Sequence, residues 1–209
     1  LLEVDLAAVL QRGLSAIILP KVEQADELAG LDRLLTEFER RAGLSGGSVR
    51  VIAVIESPAA LERARRIADG PRLIGLALGS EDFALALGRP PAPACLDLAC
   101  QTVAYAAAAR DIMGIGMACG IGDFSNLAAW RDQAGRAHAM GLSGAMAIHP
   151  AQIAPLNEAF APDPQAVAEA RAILAAWDKR DSDVVAFNGR MLDQPVVERA
   201  RRLLAALGE

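Results

Sequence analysis

Cysteine, histidine and aromatic residues are all scarce in this chain, and each shortage removes a class of function. The three cysteines, Cys95, Cys100 and Cys119, are irregularly spaced and form no C-x-x-C. That excludes a disulfide framework or a cysteine-built zinc module, and reduced thiols buried in a cytoplasmic protein are the expectation. The two histidines, His138 and His149, are too few for a histidine metal cluster, and no triad can be assembled around them. Aromatics are only 4% of the residues, basic side chains are not interleaved with them, and the net charge is −5. Nucleic acid is therefore excluded as the main partner. No apolar run approaches the roughly 18 to 20 residues that a membrane-spanning helix requires. The opening LLEVDLAAVLQRG lacks a basic segment and a cleavage pattern, so no secretory leader is expected. A Gly-rich phosphate loop is also missing, since GIGMACG at Gly114–Gly120 does not have the G-x-G-x-x-G spacing.

What is present is enough apolar material for a substantial core: 209 residues, 53% of them hydrophobic, in one or two domains. Short apolar runs alternate with amphipathic stretches. The runs Ala16–Leu19, Val49–Ile55, Leu73–Leu78, Met113–Ala118 and Ala145–Ile148 read as strands, each rich in Ile, Val, Leu or Ala and bounded by Gly, Pro or charge. Glu23–Ala42 has apolar residues at Leu28, Leu31, Leu34, Leu35 and Phe38, which is helical spacing. Pro58–Ala68 is predicted to be a helix with Ser57 as its N-cap, Asp97–Arg110 and Leu127–Met140 are two more, and Gly141 is the C′ residue of the last. A short helix, Leu6–Gln11, leads into the first strand. Strand and helix alternating in this way is the signature of βαβ units on a parallel sheet. Only about five strands can be counted, whereas a closed barrel needs eight. An open fold, or a chain without its N-terminal portion, is the expectation. Beyond Pro162 the pattern changes to two helices, Pro164–Ala176 and Pro195–Leu207, flanking a polar turn at Phe187–Asp193. Residues 161–209 are thus expected to form a C-terminal helical extension or lid, and residues 1–160 a partial barrel.

The charged residues that matter follow strand runs. Lys21 ends the first, Glu56 ends the second and precedes a helix, and Glu81 and Asp82 end the third. A carboxylate directly after a buried strand is costly to desolvate unless it meets a cation or hydrogen-bond donors. Glu56 and Asp82 are 26 positions apart in sequence, which is one βα unit in space. Two carboxylates so placed can share a hard cation, and oxygen ligation with few protein ligands suits Mg²⁺. Helix capping and plain solvation are the competing readings of acidic strand ends. For Lys21 the alternatives are contact with a phosphate or substrate carboxylate and an ion pair with Glu23 or Glu56.

Five segments in register sharpen this reading: LPKVE (Leu19–Glu23), IESPAAL (Ile55–Leu61), LGSEDFALALG (Leu78–Gly88), AIHPAQI (Ala147–Ile153) and FNGRMLDQP (Phe187–Pro195). Their order and spacing resemble the citrate lyase β-subunit-like branch of the HpcH/HpaI aldolase superfamily, over nearly the whole chain. The resemblance implies a (β/α)₈ TIM-type barrel, here without its first strands, and Mg²⁺ held by Glu56 and Asp82. It also implies a catalytic base, Asp193, reaching a neighbouring subunit of a homotrimer or other homo-oligomer. The implied activity is Mg²⁺-dependent carbon–carbon lysis of a citramalyl-, malyl- or citryl-CoA-like thioester; the contact of Lys21 with substrate or cofactor remains a reading of its strand-end position. A free 2-keto-acid aldolase, an acyl-CoA thioesterase and a non-catalytic subunit that kept the fold are the alternatives. Asp193 as a mere helix cap is compatible with its catalytic role, while His149 is expected to be structural, and Phe160 and Pro162 to be packing.

The sequence departs from that family in two places. The family's R-[VI]-N motif, which supplies an arginine at the third barrel strand, and its D-[LF]-E-D motif are absent, both belonging to a part that would precede Leu1. The stretch Ile115–Phe124 (IGMACGIGDF) carries small residues where the family has an acidic strand end, so the pocket is expected to differ on that side.

Overall fold

The computed structural model describes residues 2–179 and 185–208. The chain divides into two compact units, Leu1–Phe160 and Ala161–Glu209. In the first unit a helix α1 (Leu2–Val9) precedes β1 (Ala16–Leu19), α2 (Ala25–Ala42) and β2 (Arg50–Ile55). Two short helices, α3 (Pro58–Glu62) and α4 (Ala64–Ile67), then lead to β3 (Leu73–Leu78), α5 (Ser80–Ala86) and α6 (Pro93–Ala108). The unit closes with β4 (Met113–Ile115), α7 (Leu127–Ala139), a 3₁₀ turn at Pro150–Gln152 and α8 (Ile153–Phe160).

All four strands are parallel, in the order β1-β2-β3-β4. This α/β arrangement follows from the sequence pattern, because β3 is buried at all but one position and β2 at successive residues Ala53–Ile55, as strands covered by helices on both faces must be. The bounds predicted for the first and third strands coincide with β1 and β3. The core joins Leu28, Leu31 and Leu35 of α2 to Ile55, Leu76, Leu96, Trp130 and Leu142.

Four expectations are corrected. The predicted strand Met113–Ala118 stops at Ile115, and Ala145–Ile148 forms no strand, leaving a single parallel bridge between Ile115 and Gly144. The physical reason lies in the partners. Ser143 donates to the Gly114 carbonyl and Gly116 to that of Gly144, but no further ladder bond follows among the described residues and the chain bends at Ala118–Cys119. The backbone N–H of Ile148 is given to the Gln152 side chain instead of a neighbouring strand. The single helix predicted over Pro58–Ala68 is broken at Arg63, which takes φ −100°, ψ 2°. The polar turn predicted at Phe187–Asp193 is part of a β-hairpin.

The end of the sheet opposite the candidate site is fastened by Arg72. Just before β3, in a left-handed conformation (φ 63°), Arg72 forms a bidentate pair with Glu39 at 2.7 and 3.0 Å. It also reaches Asp32, the Thr36 hydroxyl and the Val49 carbonyl. Glu39 is fully buried, and Gly47 and Val49 donate their backbone N–H groups to it.

The second unit contains α9 (Pro164–Asp178), the antiparallel strands β5 (Val185–Phe187) and β6 (Arg190–Leu192), and α10 (Gln194–Ala205). Asn188 and Gly189 between the strands have φ 47° and 74°, the positive pair that a type I′ hairpin turn requires. Val167, Ile173 and Trp177 pack with Leu192, Val197 and Leu204 in a small core of their own. Among the described residues no helix is long and apolar enough to cross a membrane.

Candidate functional site

Lys21, Glu56 and Asp82 come together where β1, β2 and β3 end. After β1 the Val22 N–H donates to the Val54 carbonyl at 3.1 Å, and Val22 is fully buried. That anchor leaves Lys21 exposed in a left-handed conformation, φ 55°, an uncommon geometry for a residue with a Cβ. Its Nζ lies 3.7 Å from Asp82 Oδ2. The partner foreseen for an ion pair was Glu23 or Glu56; the structure gives Asp82 instead. Glu23 is engaged elsewhere, accepting from the Ser57 hydroxyl at 2.6 Å and facing Arg63 at 3.9 Å.

Glu56 leaves β2 and is followed by Ser57, which caps α3 by accepting the Ala60 N–H at 3.0 Å. Glu56 is half-buried, and its Oε2 is buried with no hydrogen-bond partner. Burial pushes its carboxyl above the usual carboxylate range, and the adjoining Asp82 carboxylate pushes further; the Lys21 charge and backbone N–H oppose both. Two acidic groups are thus held together at a point where one oxygen has no donor. That is an arrangement a cation relieves.

Asp82 stands in the first turn of α5. That helix is capped by Gly79 with no side-chain bond, and the Gly79 N–H donates to the Ile55 carbonyl at 2.9 Å. A Cβ at Gly79 would lie 2.5 Å from Glu56 Cγ, so this glycine is what lets the third strand end pass against the Glu56 side chain. Sequence reasoning missed its role, although its place in L-G-S-E-D was the available signal. Glu81, beside Asp82, turns the other way and accepts the Ile121 N–H at 3.0 Å.

The chemistry of the donor set fits Mg²⁺. Both groups are hard oxygen donors, and among the described residues no cluster of three or more His, Cys, Asp or Glu is assembled for a metal. A cation held by two carboxylates keeps positions for water and substrate oxygens, which is the usual habit of Mg²⁺.

The remaining residues singled out in the sequence have structural partners. His149 Nδ1 accepts the Ala151 N–H at 3.2 Å, and its ring stacks on Phe124 with centroids 4.3 Å apart. The Phe160 ring packs against His138. All three cysteines are free; burial pushes the Cys100 thiol up to about 12 and that of Cys119 to about 11. Cys95 and Cys119 are only partly buried, which corrects the expectation of three buried thiols. Asp193 belongs to the second unit, where it caps α10, its Oδ1 accepting the Val196 N–H at 3.1 Å.

Comparison with known proteins decides the family. Residues 1–150 match the family described as HpcH/HpaI aldolase/citrate lyase. The chain belongs to that family. Among its relatives is the citrate lyase subunit beta of Haemophilus influenzae, 32% identical over 96% of this chain and 70% of that one. Another is the L-malyl-CoA/beta-methylmalyl-CoA lyase of Cereibacter sphaeroides (ATCC 17025), 32% identical over 90% of this chain and 65% of that one. A crystal structure of protein CitE from Mycobacterium tuberculosis, in complex with magnesium, acetoacetate and coenzyme A, superposes with a TM-score of 0.69. It is 26% identical, over 93% of this family member and 69% of its own chain.

Proposed function

We propose that this chain carries the metal-holding wall of a Mg²⁺-dependent carbon–carbon lyase that cleaves a 3-hydroxyacyl-CoA thioester into acetyl-CoA and a keto acid. In this reading the four parallel strands are an arc of the family's (β/α)₈ barrel, and Glu56 and Asp82 are the metal ligands. The observation that carries it is the convergence of Glu56 and Asp82, with Glu56 Oε2 buried and unpartnered. The relatives named as citrate lyase and malyl-CoA lyase support the substrate class.

Bound between the two carboxylates, Mg²⁺ would supply Lewis acidity and a template for the substrate's hydroxyl and carboxylate oxygens. The residues of the chain do the rest. Glu56 and Asp82 hold the cation and offset its charge. Lys21, already drawn to Asp82, turns its ammonium to a substrate carboxylate or phosphate. In the cleavage direction a base takes the 3-hydroxyl proton, the carbonyl of the keto acid forms as the carbon–carbon bond breaks, and acetyl-CoA leaves as its enolate; a proton returned to the α-carbon balances the one removed from the hydroxyl. Asp193 is the group proposed to move that proton. Its Oδ1 caps α10, which leaves Oδ2 to exchange a proton with the thioester α-carbon in a neighbouring copy of a homo-oligomer.

The test is Mg²⁺-dependent release of acetyl-CoA from malyl-, citramalyl- and citryl-CoA. The expected result is acetyl-CoA and keto acid in equal amounts from one of the three, lost in Glu56→Gln and Asp82→Asn. Release of free CoA without a keto acid would replace the lyase reading with a thioesterase. No turnover of any of the three would overturn the lyase reading altogether.

A further inference from the structure

Residues 117–125, which follow β4 beside the Asp82 turn, exchange no backbone–backbone hydrogen bond with the rest of the described chain. Met117 and Ala118 are buried in the core, and beyond them two side chains hold the loop by bonding the N–H and the carbonyl of the same residue. Glu81 Oε1 accepts the Ile121 N–H at 3.0 Å, and Gln152 Nε2 donates to the Ile121 carbonyl at 3.0 Å. Gln152 is fully buried, and its Oε1 accepts from the backbone N–H groups of both Ile148 and His149, at 2.9 and 3.1 Å. One amide therefore uses both acceptor lone pairs on one segment and a donor on another, a task neither a carboxylate nor a hydrocarbon of the same shape can perform. The loop runs tight against Glu81: a Cβ at Gly120 would lie 2.8 Å from Glu81 Oε1 and 2.9 Å from Pro91 Cγ. Stacking of Phe124 on His149 fastens its far end to the segment that carries Gln152.

Glu81 and Asp82 are consecutive in the first turn of α5, so their side chains diverge by about 100°. Glu81 faces the loop and Asp82 faces Lys21. Since Gly79 caps this helix without a side-chain bond, the turn has no capping side chain to fix its rotation. The Glu81–Ile121 tie supplies that constraint from outside the helix.

We propose that Glu81 and Gln152 are positioning residues, which clamp Ile121 and thereby set the direction of the Asp82 carboxylate and the loop wall beside it. The proposal rests on the reading of Glu56 and Asp82 as metal ligands. The clamp lies in the stretch Ile115–Phe124, which is rich in small residues.

The test is calorimetric titration with Mg²⁺ alone, with amide hydrogen exchange read at Ile121. Glu81→Ala is expected to weaken Mg²⁺ binding about 10- to 100-fold and to speed exchange at Ile121. Glu81→Gln, whose amide oxygen still accepts, is expected to restore both. Gln152→Leu is expected to behave like Glu81→Ala; should it fail to fold, the Glu81→Ala and Glu81→Gln pair decides. Glu56→Gln and Asp82→Asn are the reference variants, expected to lose binding outright. Wild-type affinity in Glu81→Ala, with Glu56→Gln inactive in binding, would overturn the positioning role and leave the metal site standing. Wild-type affinity in Glu56→Gln and Asp82→Asn would overturn the metal site and the clamp together.

Discussion

Replacing Arg72 with methionine removes the guanidinium from a carboxylate that has no access to water. Glu39 is fully buried and loses its two charge-assisted bonds, at 2.7 and 3.0 Å, keeping the N–H groups of Gly47 and Val49 and a longer contact to the Ser48 hydroxyl. Burial by itself would raise the Glu39 carboxyl. The Arg72 bonds, followed by the two backbone donors, more than reverse this and hold it at about 2 instead of the ordinary 4.5. At about 1.4 kcal/mol for each tenfold change in acid strength, that difference is worth about 3 kcal/mol at neutral pH. Part of that comes from the Gly47 and Val49 donors, which the variant keeps; breaking a buried ion pair by removing one partner costs about 3–5 kcal/mol in general, and that sets the expected loss. Urea unfolding followed by circular dichroism should therefore show Arg72→Met about 3 kcal/mol less stable than wild type at neutral pH. Because the folded-state value is depressed, the Glu39 contribution is complete above 4.5 and disappears as pH falls toward about 2. The gap between variant and wild type should narrow over that range. A loss below about 1 kcal/mol at neutral pH, or a gap of unchanged size in acid, would refute the reasoning. The variant should bind Mg²⁺ normally, since Arg72 precedes β3 and Asp82 follows it.

Two further outcomes are expected at the site and in the second unit. Gly79→Ala places a Cβ 2.5 Å from Glu56 Cγ, so Glu56 must swing away; calorimetry should show Mg²⁺ affinity down at least about tenfold, the effect of disturbing a ligand's support, with a folded circular dichroism spectrum retained. Asp193→Asn keeps an oxygen to cap α10 and should leave stability within about 0.5 kcal/mol while abolishing acetyl-CoA release, whereas Asp193→Ala should lose roughly 1 kcal/mol as well.

The parallel α/β order was legible because buried strands are written as short continuous apolar runs, and Ala16–Leu19 and Leu73–Leu78 were bounded to the residue. The run Ala145–Ile148 has the same composition yet forms no strand, since a strand needs a partner edge and β4 ends at Ile115. Composition carries no information about where a neighbour stops. The Asn188-Gly189 pair is a strong turn signal, but Arg190 follows it and the strands are only 3 residues each, too short for an alternating pattern to show. At the site, the pairing of Glu56 with Asp82 followed from strand ends one βα unit apart. The tie from Glu81 to Ile121 spans 40 positions, and that from Gln152 to Ile121 spans 31. Neither leaves a periodic trace, because a side chain bonded to a backbone amide constrains no residue type at the other end.

The most direct test of the central claim is the thermal transition of the chain in chelator and in Mg²⁺, for wild type and Glu56→Gln. With Mg²⁺ at about one hundred times its dissociation constant, binding to the folded state alone stabilises by about 2.7 kcal/mol, roughly 5–10 °C for a chain of this size. Wild type should show that rise and Glu56→Gln none. An equal rise in both would contradict the account.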